Sequence, residues 1–405
     1  MSDQTLEDST RPSTAVILAA GEGTRLRPLT ANRPKPMLPA GTRPILEHVC
    51  NALIEAGIDE IHLVVGYHAN RVRSHFGSTY RGVPIEYHTQ TNQLGSGHAL
   101  LQARDGPSGP FLLVNGDQVI DHRIVEAVCE AHTDTPATLA VVEGPQAAEY
   151  GAVDLDDDEI TALIEQPRDG AYRLFNAGVY VFSQQVFETL ATLSETQGEL
   201  PLTDAIGHLL SNDRTVRGVR TDHFWMDATH PWDLIDLSTE LLARGWVDAT
   251  PVDSNCYVDE SAHIHPDASL VGPVVVDRDA VIEAGAVVGP YAAIGANVTV
   301  GAGTILKDAV VDSGTTIGPN TTAIEFVTGQ DCTIGAGFTV AGGPADIVVD
   351  DQVHHDIDLG GVLADRVTVG GAATLEAGTL IGPGAVVGDG VVVRDRIDAD
   401  SEVVR

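Results

Sequence analysis

"VVGPYAAIGANVTVGAGTIL" occupies residues 287–306. Every sixth residue from Val288 is aliphatic: Val288, Ile294, Val300 and Leu306. A strand alternates with period two and a helix repeats every 3.6 residues, so a period of six belongs to neither. It belongs to a solenoid in which each hexad forms one short face and turns one aliphatic side chain inward. Counting backward, the run continues through Ile282, Val276, Leu270, Ile264 and Val258 without a miss. It resumes in a new phase at Leu363, Val369, Leu375, Ile381, Val387 and Val393. The pattern predicts a parallel β-helix over 252–400. Between the two runs Ile317, Ile334 and Val340 leave the first phase, so the register is expected to fail there. The stretch "AGGPADIVVDDQVHHDIDLGG" (341–361) reads as a loop excursion, with His354 and His355 as exposed loop histidines.

The chain before this array has another rhythm. "TAVILAA" (14–20), "IHLVV" (61–65), "FLLVNG" (111–116), "ATLAVV" (137–142) and "NAGVYVF" (176–182) read as strands. "PILEHVCNALIEAG" (44–57) has apolar residues at helical spacing and stops at glycine. Alternating β and α elements predict an α/β, doubly wound, Rossmann-like domain with a mostly parallel sheet. Residues 1–12 read as a flexible acidic tail, 13–247 as the α/β domain, and "ARGWVDATPVDSN" (243–255) as the join to the β-helix.

Composition narrows the partners. The 405 residues carry 58 acidic and 23 basic side chains, a formal charge of −35. That charge disfavours nucleic acid and anionic membrane surfaces, whose phosphates would be repelled. Self-repulsion of this size is tolerable where salt is high and the screening length falls to about 3 Å at 1 M. With lysine nearly absent, the chain fits a salt-rich cytoplasm. Cys50, Cys129, Cys256 and Cys332 are scattered without a CxxC pair and read as reduced core thiols. No signal peptide or membrane-crossing run is read, so the expected location is the cytoplasm.

The chemistry concentrates early. "AVILAAGEGTRLRPLT" (15–30) puts a glycine-rich turn directly after the first strand, at the edge of the sheet where ligands bind. Gly21 and Gly23 let backbone N–H groups approach a phosphate, and Arg25 can add a bidentate contact. The turn is neither a P-loop nor the dinucleotide fingerprint, because it lacks GK[ST] and a third glycine at the right spacing. "NRPKPMLPA" (32–40) holds Lys35, and the only other lysine of the chain is Lys307. A salt-adapted surface can dispense with lysine, but a triphosphate substrate needs cations as its charge develops. Pro34 and Pro36 restrict the backbone on either side of Lys35.

"LAAGEGTRLRPLTANRPKPMLPAGTRPILEH" (18–48) resembles the signature of sugar-1-phosphate nucleotidyltransferases. "QTNQLGSGHAL", "VNGDQ", "YGAV", "IEQPRDG", "NAGVYVF", "LTDAI" and "WMDATHPWDL" follow in that family's order. The hexads resemble the left-handed hexapeptide β-helix. Together they resemble the bifunctional UDP-N-acetylglucosamine pyrophosphorylase/glucosamine-1-phosphate acetyltransferase type and its archaeal relatives. The resemblance implies that Gly21, Gly23, Thr24 and Arg25 hold a triphosphate with Lys35 near the reacting centre. It implies Gln90, Gly95 and Ser96 at the nucleobase, and Gly151, Glu165 and Asn176 at the sugar. It implies Asp117 and Asp227 as ligands of Mg2+, the expected cofactor. The implied partners are a nucleoside triphosphate and a sugar 1-phosphate, with a homo-oligomer, a trimer or a multiple of one, built through the β-helix.

Two departures limit the carry-over. Gln166 follows the sugar-site glutamate where the family often has lysine, with Arg168 nearby. The acetyltransferase relatives carry a histidine base before a coil like "CTIGAGFTV" (332–340), whereas "GPNTTAIEFVTGQD" (318–331) has none. A general base must reach the amine it deprotonates, so acetyl transfer is not expected. The favoured reading is UTP plus N-acetylglucosamine 1-phosphate giving the nucleotide sugar and pyrophosphate. Glucose-1-phosphate uridylyl- or thymidylyltransfer, a bifunctional enzyme that retains acetyl transfer, and a non-catalytic regulatory or scaffold subunit remain as alternatives.

Overall fold

The computed structural model describes residues 11–404 except 145–146, 148–149, 166–171 and 196–197. It divides into two compact units. Residues up to Gly21 and Ile45–Met226 form the first, and Glu22–Pro44 with Asp227–Arg405 form the second. The segment 22–44, which contains the glycine turn from Gly23 onward and Lys35, therefore belongs to the unit that holds the β-helix.

In the first unit the apolar runs become strands: β1 (Thr14–Ala19), β2 (Glu60–Val65), β3 (Val83–Thr89), β4 (Phe111–Asn115), β5 (Ala137–Glu143), β6 (Ala152–Asp156), β7 (Glu159–Ile164), β8 (Leu174–Phe182) and β9 (Val216–Thr221). They order as β6-β7-β9-β5-β8-β4-β1-β2-β3, and Thr79–Tyr80 adds an edge. The β4-β1-β2-β3 half is parallel, as expected. The other half is mixed, because β8 runs antiparallel to both β4 and β5, and β6 and β7 form a tight hairpin. Asp157, left-handed at φ 53°, makes that hairpin turn possible. The apolar run 44–57 forms helix α1 (Ile45–Glu55), which buries Ile45, Leu46, Val49, Cys50 and Leu53. Those residues recur at the three- and four-residue spacing of one helical face.

In the second unit, strands of two or three residues stack in parallel columns. Ile264, Ile282, Val300, Ile317, Ile334, Val369, Val387 and Val403 form one column. The inward aliphatics of all the coils make one continuous core. Left-handed residues recur at the corners, with Asp279, Asn297, Asn320 and Asp331 among them. These are the residue types that tolerate positive φ, since a short polar side chain can bond its own backbone. The four cysteines are buried and unpaired. Burial pushes the thiols of Cys129 and Cys332 up to about 12.

The expected failure of register between the two runs does not occur. Ile317, Ile334 and Val340 stay in the columns. What changes is the length of the coil. The step from Ile282 to Val300 is 18 residues, but Val300 to Ile317 and Ile317 to Ile334 are 17 each. At one corner, Ile305–Val311 and Thr322–Thr328 run through as seven-residue strands. Asp308 and Glu325 turn the chain there in the left-handed conformation. The 35-residue step from Ile334 to Val369 contains the excursion, an antiparallel hairpin of Pro344–Val349 and Gln352–Asp358. At the other end of the solenoid, Thr250–Asp253 pairs antiparallel with Cys256–Val258, the first strand of its column. Helix α2 (Asp233–Arg244) lies on the outside of the coils, where Leu242 packs with Val275 and Ala293.

Ile334→Ala should destabilise the protein by about 2–5 kcal/mol, the range for emptying a buried aliphatic site. Urea unfolding in concentrated potassium chloride measures the change. A loss under about 0.5 kcal/mol would mean that this column does not carry the core.

Candidate functional site

Within the second unit the glycine turn and Lys35 meet directly. Gly23 is left-handed at φ 67°, and a Cβ added there would lie 2.7 Å from the Cβ of Lys35. The Gly23 carbonyl accepts from Thr30 Oγ1 at 2.8 Å, which closes the loop on itself. Thr24 and Arg25 sit exposed in a short 3-10 turn (Thr24–Leu26). Lys35 opens a second turn (Lys35–Met37) after Pro34. Its side chain is 90% buried, and the ammonium forms an ion pair with Asp227. The other Asp227 oxygen lies 3.4 Å from Thr229 Oγ1, which can donate to it. Beyond it, the backbone N–H groups of Thr229 and His230 both donate to Asp233 Oδ2 at 2.7 Å, which fixes the entry to α2. Two expected site residues, one cation and one anion, are thus paired with each other.

A second cationic group in the same loop escaped the sequence reading. Arg33 is 2% exposed, and its two terminal nitrogens donate to Asp312 and Asp365. Burial alone would lower its pKa, but the two carboxylates outweigh burial by charge and hydrogen bonding and raise it. The partners lie 279 and 332 residues away in sequence.

In the first unit the expected residues fall into groups. Gln90, buried at the end of β3, donates from Nε2 to the Gly95 carbonyl at 3.0 Å. Gly95 has φ 92°, and a Cβ there would lie 2.7 Å from the Leu200 carbonyl. Ser96 Oγ accepts from the Leu202 N–H at 2.9 Å, so this hydroxyl also holds the start of helix Leu202–Ser211. Gln93, not singled out from the sequence, donates to the Ala20 carbonyl at 2.9 Å and ties this loop to the chain entering Gly21. Asp117 stands half-buried in the turn between β4 and Gln118–Ile120.

Gly151, Glu165 and Asn176 gather at one end of three strands. Ala152 pairs with both Ile164 and Phe175, so each of the three is next to a residue of that pairing. The Asn176 N–H donates to the Gly151 carbonyl at 2.8 Å. Glu165 accepts from the Thr203 hydroxyl. The Asn176 carboxamide is engaged at both ends, donating to Tyr180 Oη and accepting from the Gly178 N–H. Tyr150, Phe175 and Trp225 pack their rings beside it, at centroid distances of 5.0–5.2 Å. Trp225 Nε1 donates to the Ala177 carbonyl at 2.7 Å. Gln166 and Arg168 lie outside the described residues. Among the described residues, the one grouping of three or more His, Cys, Asp or Glu close enough to share an ion is His62, Glu86 and His88, and no expected metal ligand belongs to it. No helix is long and apolar enough to cross a membrane.

A glycine turn packed on a buried lysine, with a carboxylate alongside, is an arrangement that suits an anionic substrate, and the chain belongs to the nucleotidyl transferase family, whose model matches residues 14–244. The GMPPB C-terminal domain model matches 270–371. The chain is 35% identical over 265 residues to a protein named bifunctional protein GlmU of Methanococcus maripaludis, a match covering 63% of this chain and 62% of that one. The match thus spans about three fifths of that relative's length. A protein of the same name from Methanococcus vannielii is 29% identical over 403 residues, covering 91% and 92%. The low-salt glycan biosynthesis nucleotidyltransferase Agl11 of Haloferax volcanii is 33% identical over 335 residues, covering 79% and 93%. Among solved structures, a UDP-glucose pyrophosphorylase from Acinetobacter baumanii aligns with TM-score 0.53 and 22% identity over 57% of this chain and 94% of that one. That likeness shows the fold of the first part of the chain.

Gly23→Ala should cost about 1–3 kcal/mol, because it combines a left-handed alanine with a contact against the Lys35 backbone end. Gly21→Ala, whose Cβ meets nothing within 4 Å, should be silent. Paired urea melts test this, and equal stabilities for the two variants would contradict the close packing at Gly23.

Proposed function

We propose that the chain transfers a nucleotidyl group from a nucleoside triphosphate to a sugar 1-phosphate and releases pyrophosphate. UTP and N-acetylglucosamine 1-phosphate are the favoured substrates. Residues 13–247 carry the transfer and 252–400 form the β-helix. The observation that carries the reading is the packing of Gly23 on Lys35 and the pairing of Lys35 with Asp227. An almost lysine-free chain keeps an ammonium buried, oriented and charge-balanced beside a loop suited to phosphate.

The reaction needs no side-chain nucleophile. An oxygen of the sugar phosphate attacks the α-phosphorus in line. One P–O bond forms there, the bond to the β-phosphate bridge breaks, and pyrophosphate carries off the electron pair. Lys35 can exchange Asp227 for a phosphate oxygen as the triphosphate arrives, and the exposed Arg25 can add its fork to the same anion. Gly21, Gly23 and Thr24 supply the close backbone approach. Gln90, Gly95 and Ser96 line the nucleobase side. Gly151, Glu165 and Asn176, beside the rings of Tyr150 and Trp225, receive the sugar. Asp117 and Asp227 offer the hard carboxylate oxygens that suit Mg2+, which when bound would neutralise phosphate charge.

A second reading takes glucose 1-phosphate as the sugar. It is favoured by a Haloferax volcanii relative named UTP--glucose-1-phosphate uridylyltransferase AglF, 35% identical over 224 residues. Pyrophosphate release across a matrix of nucleotides and sugar phosphates, in concentrated potassium chloride, separates the two. Release with no pair would refute both.

Lys35→Ala should lower turnover about 10²- to 10³-fold, the usual effect of removing one transition-state charge contact. The fold should survive, as judged by circular dichroism. Near-normal release from this variant would remove Lys35 from the reaction. Asp117→Asn and Asp227→Asn should each raise the magnesium concentration for half-maximal activity. Unchanged titration curves in both would remove them as metal ligands.

A further inference from the structure

We infer that the β-helix positions the Lys35–Asp227 pair, with Arg33 and His354 as its two points of grip. The inference rests on the proposed reaction for its kinetic consequence and on geometry for the rest.

The first grip is the buried triad. Asp312 follows Val311 and Asp365 lies two residues beyond Leu363, and Val311, Thr328 and Leu363 are stacked in one column. The Arg33 fork therefore spans two coils that have a third between them. Each carboxylate is held in turn. Asp312 Oδ1 accepts from the Ser313 N–H at 2.7 Å, and Asp365 Oδ1 from the Gln330 N–H at 3.0 Å. Arg33 Nε and Asp365 Oδ2 have no hydrogen-bond partner. A buried site with two carboxylates, one guanidinium and two unmet polar atoms is a poor way to gain stability, since apolar packing of the same volume would do as well or better. It is a good way to fix where one chain segment lies against another. Only Pro34, with its restricted φ, separates Arg33 from Lys35, and Lys35 then packs on Gly23. A shift of Arg33 moves the ammonium.

The second grip lies on the Asp227 side. The hairpin that interrupts the coils carries His354, whose ring lies 4.5 Å from that of His230 and 5.2 Å from that of Trp232. His230 and Trp232 stack at 4.6 Å. They follow Asp227 by three and five residues. The excursion that breaks the hexad count thus reaches the segment bearing the carboxylate. The β-helix thus grips the chain next to each member of the pair, as a jig rather than a stalk.

The test uses the full chain. Arg33→Met/Asp312→Asn/Asp365→Asn removes all three charges together, so that no buried charge is left alone. His354→Ala trims the hairpin and leaves the triad intact. Lysine carrying 13C at Cε gives two signals in wild type, Lys35 and Lys307, and Lys307 serves as internal control. In each variant the Lys35 signal should move while that of Lys307 stays. The turnover number should fall at least tenfold for the triple variant and threefold for His354→Ala, with little change in KM. A purely structural role would lower the melting temperature and leave the turnover of folded protein and the Lys35 signal unchanged, which would overturn the inference. Should the triple variant not fold, His354→Ala decides by the same criteria. If wild type releases no pyrophosphate but its Lys35 signal moves in the variants, the positioning stands and the proposed reaction fails.

Discussion

Arg33 sits between Asp312 and Asp365 with almost none of its surface in water. Much of the second unit can be traced from that contact. It ties the segment 22–44 to coils of the β-helix far along the chain. Breaking one arm of such a buried arrangement typically costs about 3–5 kcal/mol, because the remaining charges have nowhere to go. The same contact constrains its surroundings. Nearby, Gly41 donates its N–H to Ser238 Oγ of α2 at 2.9 Å, and Arg43 pairs with Asp248. The loop is held at three places, and the glycine turn packed on Lys35 inherits their rigidity.

The fold was legible where it repeats or alternates. The hexad count found the columns, and runs such as "FLLVNG" found the buried strands. What failed did so for physical reasons. A period is a statement about sequence spacing, whereas a column is a statement about stacking. At the corners of Asp308 and Glu325 the chain turns with one residue fewer, so the count breaks while the stack continues. The antiparallel course of β8 has no signature in its own residues, since a strand buried on both faces reads alike in either direction.

The candidate site was legible through its rarest residue. Lysine is nearly absent, so Lys35 stood out. Arginine is the ordinary cation of this chain, so Arg33 did not, although it neighbours Lys35 in the same quoted stretch. Its partners are two of many acidic residues, and nothing local marks Asp312 or Asp365 as buried. Contacts spanning 279 and 332 residues leave no trace in a single sequence. Tyr150 and Trp225 lie in the motifs "YGAV" and "WMDATHPWDL", but their meeting beside Asn176 depends on the register of three strands. The hairpin bearing His354 read as an exposed loop, because the stacked His230 and Trp232 lie more than a hundred residues earlier.

A parallel solenoid is a template for its own continuation. The last coil at either end offers a row of unpaired N–H and C=O groups on which another copy can grow a further turn. The strand Thr250–Asp253 lies on the first such row and runs against the grain. It occupies the pairing edge of Cys256–Val258, so a coil from another copy cannot stack on that strand without displacing it. Four residues thus cover one face of the first coil.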